Sequence, residues 1–223
     1  TRQVSSAASD VYKRQEELVT TLLVTEDIRF YDHSGIDFKG LVRASYGLSK
    51  NILTFGNSGL EGGGSTITQQ LAKNLFKIRR EKKGKLSGIP FLGLVISKVK
   101  EWIVAIKLEE FYTKKEILAM YLNTAEYGSN SYGIKVAAKT YFDKLPSELN
   151  YNESSIIVGL LNKPTKYNPY FNPDNAIDKR AEIFYNLFKY EIINRTQYDT
   201  LRNSDLNLSY CLLYTSDAAD ETC

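Results

Sequence analysis

Glu26 and Asp27 are adjacent carboxylates in the stretch TEDIRFYDHSG, residues 25–35, beside Phe30 and Tyr31. A carboxylate pair at a helix end against aromatic rings can hold one acid ready for general acid–base work. The same residues also describe an ordinary charged helix terminus, with Arg29 as a salt-bridge partner. His33 is the only histidine of the chain. With no second histidine at metal-ligand spacing, it reads as a loop hydrogen-bonder.

A second cluster lies in LEGGGSTITQQLAKNLF, residues 60–76. Three glycines lead into a helix that Ser65 or Thr66 can cap, with a core stripe of Ile67, Leu71 and Leu75. Gln69 and Lys73 are four residues apart, on a face away from that stripe, with Gln70 beside them. Such a face is either a solvated helix surface or a holder for phosphate or sugar near a helix N-terminus. A third cluster is Lys98-Val99-Lys100-Glu101-Trp102. Helical spacing puts Lys98, Ala105 and Leu108 on the side of Glu101, so that carboxylate is either half of a Lys98–Glu101 pair or a partly buried group with a role.

The elements that must position these groups read as helices. Leu18, Leu22 and Leu23 set a helical period over 16–25, residues 26–37 form a helix end and loop, and 38–48 return to helical spacing through Leu41, Val42 and Tyr46. Residues 49–64 are glycine-rich. Residues 77–88 are strongly basic, either a solvated loop or, near a membrane, a segment that attracts anionic headgroups, and an apolar run, 89–96, follows. A helix over 97–111 is expected to bury Val99, Trp102, Ile103 and Ile106. Thr113 and Glu116 form a capping box for the next helix, through Leu122. Asn152 is expected to start a helix that Pro164 stops, and Asn172-Pro173 reads as a cap with proline at the first helical position. Neither an alternating strand pattern nor an internal repeat is present, so the class is mainly α.

The 223 residues, 43% hydrophobic and 25% charged, suit one globular domain with a sizeable core. A net charge of +3 does not call for nucleic acid. The longest apolar run, Ile89–Ile96, is too short to span a membrane. The two ends read differently from the rest. SSAASDVYKRQ at 5–15 and CLLYTSDAADE at 211–221 are both encoded by one short DNA element in opposite orientations. That element resembles a transposon-end adapter used in sequencing-library preparation. Residues 1–15 and 211–223 are therefore read as a scar, and 16–210 as the native domain. Both cysteines, Cys211 and Cys223, fall in the second tail, which removes disulfide and thiolate-metal readings. An anchor before Glu16 or a further domain after Tyr210 would lie outside this chain.

Taken together, TEDIRFYDHSG, GGSTITQQLAKN, KVKE and KKEILAMYLNTAEYGSNSYGIKVAAKTYF resemble the ordered motifs of peptidoglycan glycosyltransferases. These are the polymerase module of class A penicillin-binding proteins and their monofunctional relatives, glycosyltransferase family 51. The resemblance covers about 26–170, and SSIIVGLLNKPTKYNPYFNP resembles the family's continuation. It implies a mainly helical, lysozyme-like, two-lobed domain with a small membrane-facing jaw, here about 38–64 and 77–96. The implied activity is polymerisation of lipid II into a nascent glycan strand at the outer, periplasmic side of the bacterial cytoplasmic membrane, in some relatives fused to a transpeptidase.

By motif position, Glu26 would be the general base on the acceptor's GlcNAc 4-hydroxyl. Glu101 would assist at the donor pyrophosphate, directly or through Mg2+ or Mn2+. The resemblance places Asp27, Ser65, Thr66, Gln69, Gln70, Lys73, Lys98, Lys100, Asn123 and one of Arg79 or Arg80 around the substrate. Cations that neutralise a pyrophosphate leaving group can replace much of a general acid's work. There are two departures. Ser97-Lys98 stands where the family's third motif begins Arg-Lys, and an insertion around 82–96 lengthens the spacing from Lys73 to Glu101. A lysozyme-like muramidase or lytic transglycosylase is the competing enzyme, but a hydrolase has no pyrophosphate to hold. A non-catalytic glycan-binding module is expected to have lost one of the two glutamates, and both are present.

Overall fold

Every regular element among the described residues is helical, and the one β contact is an isolated antiparallel bridge between Glu126 and Tyr132. The structure is a computed structural model. It describes the backbone of residues 6–53, 64–76 and 90–209, and side chains within 16–46, 64–76 and 95–209. The expected mainly helical class is therefore met. Expectations that rest on Arg79, Arg80, the side chains of 89–94 and both tails fall outside these side-chain limits.

The chain divides into two compact units, one of 1–25 with 125–223 and one of 26–124. The first contains α1 (Ser6–Glu26, up to residue 25), α6 (Ile134–Phe142), α7 (Tyr151–Asn162), α8 (Pro173–Lys189) and α9 (Arg195–Arg202). Leu18, Leu22, Tyr141, Ile157, Ile183 and Phe184 are among its buried side chains. Asn150, not Asn152, caps α7: its side chain accepts from the Glu153 N–H at 3.0 Å. Asn152 is instead buried, accepting from Arg180 at 2.7 Å and donating to the Asp205 carbonyl at 2.8 Å. Pro173 does open α8, but the Asn172 amide donates to the Thr165 carbonyl instead of capping the helix.

The second unit holds α2 (Phe38–Leu53), α3 (Ile67–Leu75), α4 (Pro90–Phe111) and α5 (Lys114–Thr124). α3 packs on both α4 and α5, and Phe30, Ile67, Leu71, Ala72, Ala105, Ile117 and Tyr121 are buried. Thr113 and Glu116 form the expected cap: Glu116 accepts from the Thr113 N–H at 2.8 Å, and that bond holds its carboxyl below the usual range. Three expectations need correction. α4 begins at Pro90, seven residues before its expected start. It buries Glu101, Ala105 and Leu108, while Val99, Ile103 and Ile106 are exposed. Leu75 is exposed at the end of α3, and Val42 and Tyr46 are exposed on α2.

Asp37 starts α2 by accepting the Gly40 N–H at 2.9 Å and pairing with Arg29. Burial alone pushes the Asp37 carboxyl up, but the Arg29 and Gly40 hydrogen bonds and the Arg29 charge outweigh it and hold it below the usual range. A carboxyl depressed on folding contributes stability above its unfolded pKa, and that contribution is lost as pH falls through the folded value. Asp37→Asn is therefore expected to lower the thermal midpoint at neutral pH, with the gap to wild type closing on acidification to below the ordinary Asp range. Thermal melts of both proteins across that range measure it; a constant gap would show that charge at Asp37 is not the cause.

Candidate active site

The site grows from the first turn of α3. Thr66 is extended in backbone and its hydroxyl accepts the Gln69 N–H, so it is the helix cap that the sequence implies. The same hydroxyl donates to the Gly35 carbonyl at 2.7 Å, and the Gln69 amide donates to that carbonyl at 3.1 Å. The loop after α1 is thus stitched to the start of α3. Gly35 is required there: its φ is +88°, and a Cβ would lie 2.9 Å from the backbone of Ala105 in α4.

Asp27 approaches the same turn from the other side. Its Oδ2 accepts the Ile67 N–H at 3.0 Å, which satisfies one of the open donors at the helix start. His33 meets both Asp27 oxygens through Nε2, at 3.1 and 3.0 Å. Because His33 Nδ1 accepts the Gly35 N–H at 3.2 Å, the ring proton sits on Nε2 and the imidazole donates to Asp27. The sequence reading of His33 as a loop hydrogen-bonder holds.

Glu26 and Glu101 both hang from this turn. Gln70 donates its amide to Glu26 Oε2 at 2.8 Å and accepts the Tyr121 hydroxyl at 2.8 Å. Tyr121 therefore sets which way the Gln70 amide faces, and Gln70 sets the Glu26 carboxylate. Lys98 donates to Glu101 Oε2 at 2.6 Å and to the Ser65 hydroxyl at 3.0 Å. Glu101 is 6% exposed, so it is both a paired and a buried carboxylate. Ser65 lies just before the Thr66 cap and Gln70 just inside α3, so the start of this helix bonds Glu26 directly and reaches Glu101 through Lys98.

The expected face of Gln69 with Lys73 is only half present. Lys73 is exposed, but Gln69 is 1% exposed and its Oε1 is buried without a hydrogen-bond partner among the described residues. Lys100 is exposed on α4, and Asn123 is exposed two residues beyond Tyr121. Sequence reasoning missed Tyr121 and Gly35 as parts of the site. Gly35 carried a signal, because a glycine in a loop between two helical stretches is the residue best able to take a positive φ. Tyr121 carried none, since an aromatic on a buried helix face reads as core. Among the described residues no group of three or more His, Cys, Asp or Glu could hold a metal ion.

A family model described as Transglycosylase matches residues 2–188. The match begins within 1–15, where α1 is already helical from Ser6. Penicillin-binding protein 1A of Aquifex aeolicus is 35% identical over 196 residues, covering 88% of this chain and 24% of that protein. Its namesake in Escherichia coli is 34% identical over 194 residues, covering 87% and 21%. The Haemophilus influenzae protein is 34% identical over 209 residues, covering 94% and 22%. This chain thus spans less than a quarter of the length of these relatives. A solved penicillin-binding protein 1A from Haemophilus influenzae overlaps 44% of this chain and 14% of its own, with a TM-score of 0.41 at 33% identity. That overlap is too slight to compare architectures.

Proposed function

Because this chain belongs to the transglycosylase family, as a peptidoglycan glycosyltransferase domain of the kind found in class A penicillin-binding proteins, we propose that it polymerises lipid II into glycan strands. The observation that carries this reading is the convergence of Glu26 and Glu101 on the start of α3 and the residue before its cap, through two kinds of partner. An amide holds the first, and an ammonium holds the second.

In the reaction, Glu26 takes the proton from the GlcNAc 4-hydroxyl of the acceptor as that oxygen attacks C1 of the donor MurNAc. The new O4–C1 bond forms as the bond from C1 to the pyrophosphate breaks, and the electron pair leaves with undecaprenyl pyrophosphate. Attack opposite the leaving group inverts C1. Lys98, poised between Ser65 and Glu101, neutralises the departing charge, with Lys73, Lys100 and Arg79 or Arg80 as further cations. Ser65, Gln70 and Asn123 meet sugar and phosphate oxygens. Asp27, Thr66 and Gln69 shape the turn beneath them, and the orphan Oε1 of Gln69 suits a donor brought by the substrate. Glu101 with the pyrophosphate oxygens would fit Mg2+ or Mn2+, since Mg2+ is commonly held by one or two carboxylates plus substrate phosphates. Such an ion would supply Lewis-acid neutralisation of the leaving group.

The substrate's lipid tail places this chemistry at a membrane surface. No helix among the described residues is long and apolar enough to cross a membrane. α2 exposes Phe38, Val42 and Tyr46 one turn apart, interleaved with exposed Lys39 and Arg43, a pattern suited to an anionic headgroup layer. We place the domain on the periplasmic face of the cytoplasmic membrane, with an anchor and a transpeptidase domain in the longer protein. We also keep residues 1–15 and 211–223 as adapter-derived.

The test is a polymerisation assay on lipid II in detergent. Wild type is expected to make glycan strands and release undecaprenyl pyrophosphate, and to leave finished peptidoglycan intact. Fragmentation of finished peptidoglycan with lipid II untouched would hand the site to a muramidase or lytic transglycosylase. Glu101→Gln, which weakens the grip of Lys98, is expected to slow the reaction about tenfold and to make it more sensitive to divalent cation concentration. An unchanged cation dependence would remove Glu101 from the pyrophosphate end.

A further inference from the structure

Phe30, Thr68, Glu109 and Lys114 have no part in the chemistry above, yet the last three join Asp27, His33 and Ile67 into a closed circuit. Lys114 Nζ donates to Glu109 Oε1 at 2.8 Å and to the His33 carbonyl at 2.6 Å. Glu109 Oε1 also accepts the Thr68 hydroxyl at 2.6 Å. Thr68 follows Ile67, whose N–H is held by Asp27, and Asp27 is held by the imidazole of His33. The ring therefore runs Asp27, His33, Lys114, Glu109, Thr68, Ile67 and back to Asp27. The Phe30 ring, 1% exposed, lies 4.3 Å beneath the Lys114 ammonium. The Glu109 side chain is 6% exposed and that of Lys114 21%.

A partly buried ion pair is a poor way to gain stability, because desolvation offsets much of the attraction. What such a pair can do is fix one arrangement among several. Here the arrangement matters: Glu26 precedes Asp27, and Gln70 lies three residues after Ile67, so the clamp between Asp27 and Ile67 sets Gln70 against Glu26. A rotation of α3 by a single residue, about 100°, would carry Gln70 away from the carboxylate.

We propose that Lys114 and Glu109 are positioning residues for Glu26, closing a hydrogen-bonded ring that locks the segment 26–35 to the first turn of α3. The proposal rests on the reading of Glu26 as the base. Neither residue touches the reacting atoms; both act through His33, Asp27 and Thr68. Loss of the ring misplaces the base while leaving Lys98, Ser65 and Glu101 to grip the pyrophosphate.

Lys114→Met is expected to lower kcat on lipid II about tenfold or more with KM changed by less than about twofold, since a misplacement near 1 Å can cost up to about a hundredfold. Lys114→Arg, which keeps the charge and the donors, is expected to recover part of kcat. If Lys114→Met does not fold, Glu109→Gln with Lys114→Met removes both buried charges and keeps an acceptor for Thr68. His33 is the only histidine, so its imidazole nitrogens give a single-residue NMR signal. In wild type that signal is expected to report a slowly exchanging Nε2–H, and in the Lys114 variant faster exchange.

A folded variant with wild-type kcat would overturn the positioning role, as would a fall in kcat matched by a rise in KM. Glu26→Gln, measured alongside, separates the two readings. If it polymerises like wild type, the base assignment falls, whatever Lys114 does. If it is inactive while Lys114→Met keeps its kcat, only the positioning role falls.

Discussion

Glu26→Gln is expected to cut the rate of lipid II polymerisation roughly a hundredfold or more, with binding of a pyrophosphate-containing analogue nearly unchanged. The substitution is nearly isosteric, and its side-chain oxygen can still accept from the Gln70 amide, which reaches Glu26 Oε2 at 2.8 Å in the wild type. What it cannot do is take a proton near neutral pH. The fold should therefore be silent and the chemistry should not. Lys98, Ser65 and Glu101, proposed above to hold the donor end, are untouched by the change. Single-turnover rates and analogue affinity, measured on the same preparation, separate the two effects. Polymerisation near the wild-type rate would move the base to Glu101 or Asp27.

Gly35→Ala is expected to cost about 2–5 kcal/mol of unfolding free energy, combining backbone strain with overpacking, and to abolish activity in the fraction that still folds. At φ +88° an alanine is strained before any contact is considered. Its Cβ would also sit 2.9 Å from the carbonyl carbon and oxygen of Ala105, one turn along α4 from Glu101. Relief requires the loop to back away from α4. The Gly35 carbonyl would then leave Thr66 and Gln69, and its N–H would leave His33. By contrast, losing the Thr66 cap alone costs about 1 kcal/mol. Urea unfolding measures the first effect and the polymerisation assay the second. A midpoint within error of wild type would mean that the loop accommodates a Cβ, and that Gly35 is not the joint it is taken to be.

Membership in the transglycosylase family, the helical class and the starts of α2, α3, α5 and α8 could be read from the chain alone, because those signals are local. The Thr66 and Thr113 caps, the proline opening α8 and the period of α3 each depend on residues within a turn of one another. The motifs carried Glu26, Glu101, Ser65, Gln70 and Lys98, and all five meet on or beside one turn. What the sequence could not decide was direction. α4 carries apolar residues on several sides, so its pattern names no inward face. Packing against α3 turned Glu101, Ala105 and Leu108 in and left Val99, Ile103 and Ile106 out. The same holds for Gln69, which looks solvated in a helical projection but is drawn inward by the Gly35 carbonyl, 34 residues earlier in the chain. Tyr121 on Gln70, and Lys114 on His33, join residues 51 and 81 positions apart. Separations of that length leave no periodic trace. Such contacts exist only once the helices have packed, because a hydrogen bond forms where two groups are brought within reach, and chain spacing fixes that reach only within a turn or two.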